Sequence, residues 1–336
     1  MIKGKFIVPD YYPEFSCKGK ECRQCCCDGW TITISQDEYF RLRSLPLSKD
    51  RKERRDAYVG ILLHPTEERY ARINLNFFGE CQRRLENGYC GLQVQVGEEN
   101  IPSVCRYYPR APRLYPYKVS CLSNSCEWVL EKRRESDASL SFQEEELTFY
   151  FNEKEVVKDV PKDYLPLHRK SLELLKDRSR TFNERLLSLG KMLHIDVSFF
   201  NDKIEEQILR SLCEKFKRSL SIGDYISSLP SSFLSRKERE ESRRKKRNKF
   251  DLYREKFFSN HLLFTCFPYV DLIHRKDESF YGLYFIYDFY LLLLDGNLKD
   301  GEKTPFVDLS SCAFRVIEHS NRYSLIPALI HQENEE

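Results

Sequence analysis

Two hydrophobic periods divide the chain. Up to about residue 130 the apolar positions alternate in short runs, and beyond it they recur every three or four residues. Ile32 and Ile34 alternate with Thr31 and Thr33, which predicts a short strand. In residues 71–77, Ala71, Ile73, Leu75 and Phe77 are set against Arg72, Asn74 and Asn76, predicting the clearest strand of the protein. Tyr117, Val119 and Cys121 predict another. Ser35 and Glu38 have capping-box spacing and open a helix toward Leu45, ahead of Pro46. Residues 49–58 are basic and polar and predict an exposed helix. Asn87-Gly88 is a turn signal between Cys81 and Cys90. The three prolines of residues 106–116 exclude regular helix there, and a helix is expected from about Ser125.

From residue 131 onward the pattern predicts helix after helix. Thr181 and Glu184 form a second capping box, followed on one face by Phe182, Leu186, Leu189 and Leu193. Ile204, Ile208, Leu212 and Phe216 make another stripe. Residues 283–294 and 306–318 predict core helices. The first is too short to span a bilayer and contains Asp288. The expected fold is mainly α, with a cysteine-rich α+β N-terminal region containing short strands and a helical C-terminal part. A division near residue 135 gives a cysteine-rich metal-binding unit, 1–135, and a helical domain, 136–336.

Composition narrows the function without naming it. With 32% charged and 41% hydrophobic residues, the chain reads as soluble and globular. A net charge of +3 offers no electrostatic case for nucleic acid. Residues 236–249 carry nine basic and three acidic side chains, which suit a solvated helical face or a patch for an acidic partner. The start of the sequence has no apolar run of signal-peptide length, so a reducing, cytoplasmic setting is expected.

That setting changes how the cysteines are read. Of the 13, ten lie between Cys17 and Cys126. Cys25, Cys26 and Cys27 are adjacent and disfavour disulfide geometry among themselves. Clustered thiols in a reducing compartment point to a metal. The spacings Cys17-x4-Cys22, Cys22-x2-Cys25 and Cys22-x3-Cys26 suit a loop around a cation, which Cys90 or Cys105 could close. There is one zinc-like knuckle and no second. An all-thiolate iron–sulfur cluster tolerates such irregular loops, so iron–sulfur is slightly favoured, with zinc as the alternative. Cys213, Cys266 and Cys312 sit on apolar helical faces and read as inert buried thiols. No histidine pair has ligand spacing.

The cysteine region resembles the flagellin lysine-N-methylase family. The resemblance rests on Cys17, Cys22, Cys26, Cys27, Gly29 and Trp30, and on Cys81 with Gly88-Tyr89-Cys90. It continues through Cys105-Arg106-Tyr107-Tyr108-Pro109-Arg110 and Ser125-Cys126-Glu127, and recurs in residues 253–269 and 314–323. Cys25 departs from the pattern. The resemblance implies a bacterial cytoplasmic enzyme that methylates lysines of flagellin, with S-adenosylmethionine as donor and a cysteine-ligated iron–sulfur cluster of the 4Fe-4S type. It implies metal ligands among Cys17, Cys22, Cys26, Cys27, Cys81, Cys90, Cys105 and Cys126. No glycine-rich nucleotide fingerprint is present, so the donor site would be unconventional. Tyr108 and Arg110, next to a ligand candidate, are the catalytic candidates, Arg110 as a bidentate partner for the donor's carboxylate. The competing expectations are a metal-binding or redox module without methylation activity, and a scaffold working through its basic segment.

Overall fold

The computed structural model describes residues 2–330 apart from 46–58, 115–116, 136, 151–159, 198–200, 232, 236–237, 240, 242–249, 299–302 and 321–324. The helix expected at 49–58 lies outside the described residues, as does most of the basic run at 236–249. An α+β N-terminal region with short strands and several cysteines is followed by a largely helical C-terminal region.

Two small sheets build the N-terminal region. The first has the order β5-β6-β1-β7, from strands Ile2–Pro9 (β1), Arg110–Arg113 (β5), Val119–Leu122 (β6) and Phe142–Phe149 (β7). Strand β1 runs parallel to β6 and antiparallel to β7, from Ile2 opposite Phe149 to Pro9 opposite Phe142. The second sheet, β2-β4-β3, consists of Thr33–Ile34 (β2), Val59–Ile61 (β3) and Ala71–Ile73 (β4). Its apolar face joins Leu42 of helix Gln36–Ser44 (α1), which begins at the predicted Ser35–Glu38 capping box. Gly91–Val96 (α2), Ser103–Tyr107 (α3) and Glu127–Arg134 (α4) complete this half.

Two expectations need correction. The strand predicted over 71–77 stops at Ile73, and Phe77 is exposed. Asn76 ends the alternation: its side-chain oxygen accepts from the N–H groups of Phe78 and Glu80 in an Asx-type turn. The expectation of helix alone beyond residue 131 misses β7. That strand, FQEEELTF, is an edge, and its outward acidic residues depress strand propensity while guarding against further pairing.

The helical region runs through Tyr164–Lys176 (α5), Phe182–Met192 (α6), Asp202–Phe216 (α7), Gly223–Ser227 (α8), Phe250–Thr265 (α9), Lys276–Asn297 (α10) and Lys303–His319 (α11). The Thr181–Glu184 capping box is present, and Phe182, Leu186, Leu189 and Leu193 are buried as their spacing predicts. Helix α10 is buried on all sides from Gly282 to Leu294, which makes it the axis of the core. Helix α9 joins this core to the larger sheet. Leu263 and Phe264 pack against Val119 and Cys121, and the Asn260 amide donates to the Leu122 carbonyl at 2.7 Å. No described helix is long and apolar enough to cross a membrane.

Candidate metal centre

The cysteine loop has little secondary structure of its own, and side chains from distant elements hold it. The Glu127 carboxylate, in the first turn of α4, accepts from the backbone N–H groups of Arg23 (2.8 Å) and Gln24 (2.9 Å). The same carboxylate pairs with Lys18 and, at 3.0 Å, with Arg23. On the other side Arg315 of α11 donates to the carbonyls of Cys25 and Asp28, both at 2.8 Å. Trp30 Nε1 donates to the Cys26 carbonyl at 2.7 Å, and the Cys312 thiol donates to Gln24 Oε1 at 3.0 Å. Gly29 has φ +77°, a left-handed conformation, and its carbonyl accepts from Ser221. Most of these contacts fix backbone, and none of them engages the thiols of residues 25–27.

The Sγ atoms of Cys25, Cys26 and Cys27 all lie within 4.8 Å of one another. This is the tightest thiol grouping in the chain, and it includes Cys25, the position outside the ligand set expected from the family resemblance. Thiols of Cys26 and Cys27 act as donors to Cys25, and the Cys27 N–H adds a contact at 3.4 Å. That hydrogen bonding holds Cys25 well below the usual thiol range, while its two partners are raised by the same interaction. A short antiparallel zipper lays Cys27 beside Cys81: the Cys81 N–H donates to the Cys27 carbonyl at 2.7 Å and Gly29 N–H to Gly79 at 2.9 Å. Cys81, Cys90 and Cys105 pack on the core of the smaller sheet, and Cys105 feels the charges of Cys27, Cys81 and Cys90. The Asn87-Gly88 turn, with Gly88 at φ +83°, folds Cys90 back across from Arg84.

A second group forms at the start of α4. Cys17 acts electrostatically on Cys126, the N-cap residue of α4, and Cys17 and Cys126 both act on Cys22. Burial pushes Cys22 up to about 12, helped by Glu127, and Cys126 up to about 11. Tyr108 stands between the groups, raised by burial and by the charges of Cys126 and Cys26. The eight cysteines anticipated as ligands thus fall into two neighbourhoods, Cys26, Cys27, Cys81, Cys90 and Cys105 in one, Cys17, Cys22 and Cys126 in the other. Cys213, Cys266 and Cys312 are buried in the helical region.

The donor chemistry fits a soft metal. Every member of the tight group is a thiol, and none of the thirteen cysteines is in a disulfide. Thiolate-only surroundings select zinc or iron–sulfur over hard cations. Because thiols raised by burial must lose protons to ligate, metal uptake would displace protons and weaken as pH falls.

A buried polar network adjoins the loop, and the sequence alone did not single it out. Glu318 of α11 accepts from Ser123 Oγ (2.6 Å), Asn124 N (2.9 Å) and Asn124 Nδ2 (3.0 Å), with His261 Nδ1 at 3.3 Å. His319 Nε2 meets Ser125 Oγ at 3.0 Å and Ser123 Oγ at 3.2 Å, and Ser125 Oγ meets the Tyr108 hydroxyl at 3.0 Å. The Trp30 ring lies 4.5 Å from His319 and 5.4 Å from Tyr108, centre to centre. His319 is exposed, so the network opens to solvent at this histidine. Arg110 sits elsewhere, with its guanidinium 4.7 Å over the Phe15 ring and 5.9 Å from that of Tyr12.

The fold and site define a class: an α+β cysteine-cluster protein whose thiol loop is clamped between α4 and α11. Two curated proteins described as lysine-N-methylase, from Salmonella typhimurium and Salmonella choleraesuis, are each 31% identical to it over 127 residues. The match covers 37% of this chain and 31% of each relative, so it spans less than a third of their length. The flagellar biosynthetic protein FliU of Salmonella muenchen is 30% identical over 127 residues, which cover 73% of that protein. The chain belongs, as a distant member, to this family of lysine-N-methylase and FliU flagellar proteins. No family model and no solved structure matches it.

Proposed function

We propose that the N-terminal region is a thiolate metal-binding module, with an iron–sulfur cluster favoured over zinc. The observation that carries this reading is the mutual approach of Cys25, Cys26 and Cys27 within 4.8 Å on a loop clamped from both sides. One of Cys81, Cys90 and Cys105, which pack together beside this group, supplies the fourth thiolate of this centre, and Cys17, Cys22 and Cys126 form the neighbouring thiol group. A bound cluster would supply redox and Lewis-acid chemistry, while the chain's own residues hold the loop and limit solvent access. Replacing Cys25, Cys26 and Cys27 together with serine should lower bound metal at least about ten-fold, measured by elemental analysis of anaerobically purified protein. Cys213→Ser should leave the metal unchanged. Equal metal in the triple variant and the wild type would remove these thiols from the site.

A second reading, methylation of flagellin lysines, is favoured by the names of the relatives and by the network beside the loop. The target lysine must lose its proton before attack, and exposed His319, backed by Ser123 and Ser125, is the group placed to accept it. The described strands include one parallel pair only and no doubly wound nucleotide crevice, so no donor site of that type supports this reading. Flagellin co-expressed with the protein should gain mass in whole methyl increments on lysines, and His319→Ala should reduce the gain. Flagellin of unaltered mass alongside metal-loaded protein would leave the metal or redox module as the function.

A further inference from the structure

We infer that a cavity between β1, α4 and α9, away from the cysteines, is a binding site for an oxyanion carried on a small molecule. The cavity measures about 450 Å³, within the range of small-molecule sites, and its lining includes Tyr11, Lys132, Arg133, Ser139 and Lys256. Arg133 is 3% exposed, yet none of its three guanidinium nitrogens makes a hydrogen bond. Its guanidinium carbon lies 5.0 Å from the centre of the Tyr11 ring, and its charge acts on the Tyr11 hydroxyl. Lys256 is also 3% exposed and lies beside it, donating to the Arg133 backbone carbonyl at 3.0 Å. Two buried cations therefore face one cavity.

Among the described residues, no carboxylate hydrogen-bonds to the Arg133 guanidinium. Glu14 and Glu135 both close on Lys132, at 2.8 and 2.6 Å. Asp10 accepts from the N–H and hydroxyl of Ser141. Glu255 pairs with Arg178, and both Glu255 and the exposed Asp137 attract Lys256 from a distance. Like charges buried together are costly unless a counter-charge arrives. Arg133 lies near the C-terminus of α4, where the helix dipole favours a cation but supplies only a fraction of a charge. An arginine fork beside a lysine ammonium is the donor set that phosphate and carboxylate groups select. Burial and the neighbouring Arg133 already hold Lys256 down to about 8, and a bound anion would raise it again.

The test uses the full-length protein and two probes, inorganic phosphate and acetate, with chloride at matched ionic strength as reference. Thermal unfolding should shift upward with phosphate or acetate beyond the chloride reference, and the larger shift identifies which group the site takes. Arg133→Met should abolish the anion-specific shift. It should also leave the protein at least as stable as wild type without ligand, since it removes an unpaired buried charge. Lys256→Met should reduce the shift. A shift no greater than that of chloride, or one retained in full by Arg133→Met, would overturn the site. Loss of stability in anion-free Arg133→Met would do the same, because it would show that the guanidinium is already compensated within the fold.

Discussion

Replacing Arg239 with leucine should destabilise the protein by about 3–5 kcal/mol, the largest effect expected of any single substitution away from the cysteines. Asp288 sits in the middle of α10, where every neighbour on the helix is apolar and buried. Its carboxylate is 0% exposed and lies 3.0 Å from the guanidinium of Arg239, itself 3% exposed. Removing the arginine would leave a carboxylate stranded in the core, and stranding one charge costs more than the pair contributes. The double substitution Arg239→Leu with Asp288→Leu should therefore recover most or all of the loss. Urea unfolding of the two variants separates these cases. If the double variant were as unstable as the single one, the cost would lie in packing, and the electrostatic account of this pair would fail.

Glu127→Ala should cost about 3 kcal/mol and, more tellingly, release the cysteine loop from α4. The carboxylate is 1% exposed and accepts two backbone N–H groups, Arg23 and Gln24, that have no other acceptor offered by the loop. Charge-assisted bonds of this kind are each worth about 1.5–3 kcal/mol. Lys18 and Arg23 retain Glu131, and Arg23 retains Asp308, which keeps the penalty from rising further. Glu131→Ala is the control: its carboxylate is 34% exposed on the side chain, and its loss should stay below about 1 kcal/mol. Metal retention should fall with Glu127→Ala and hold with Glu131→Ala. Matching losses from the two would mean that the loop is not anchored through Glu127.

What the sequence made legible was local. Both capping boxes, the Asn87-Gly88 turn and the apolar stripes of α6, α10 and α11 follow from residues within one or two turns of each other, and they stand as expected. Strand β7 was not legible, because an edge strand rich in glutamate carries a pattern that suits a solvated surface equally well. The density of thiols pointed to a metal, yet excluding Cys25 on the ground of family pattern left out a member of the tightest group. The clamps on the loop were out of reach for another reason. Arg315 meets Cys25 and Asp28, and Cys312 meets Gln24, across nearly the whole chain, and no periodicity encodes such pairings. Cys312 shows the point well: its helical spacing marks it as a core thiol, and only the tertiary structure brings it to the cysteine loop.

X-ray absorption at the iron and zinc edges, on protein purified without oxygen, tests the central claim most directly. The account predicts a bound metal whose nearest shell is sulfur, at about 2.3 Å for zinc or with added iron–iron scattering for a cluster. A shell dominated by nitrogen or oxygen, or protein that takes up neither metal, would contradict it.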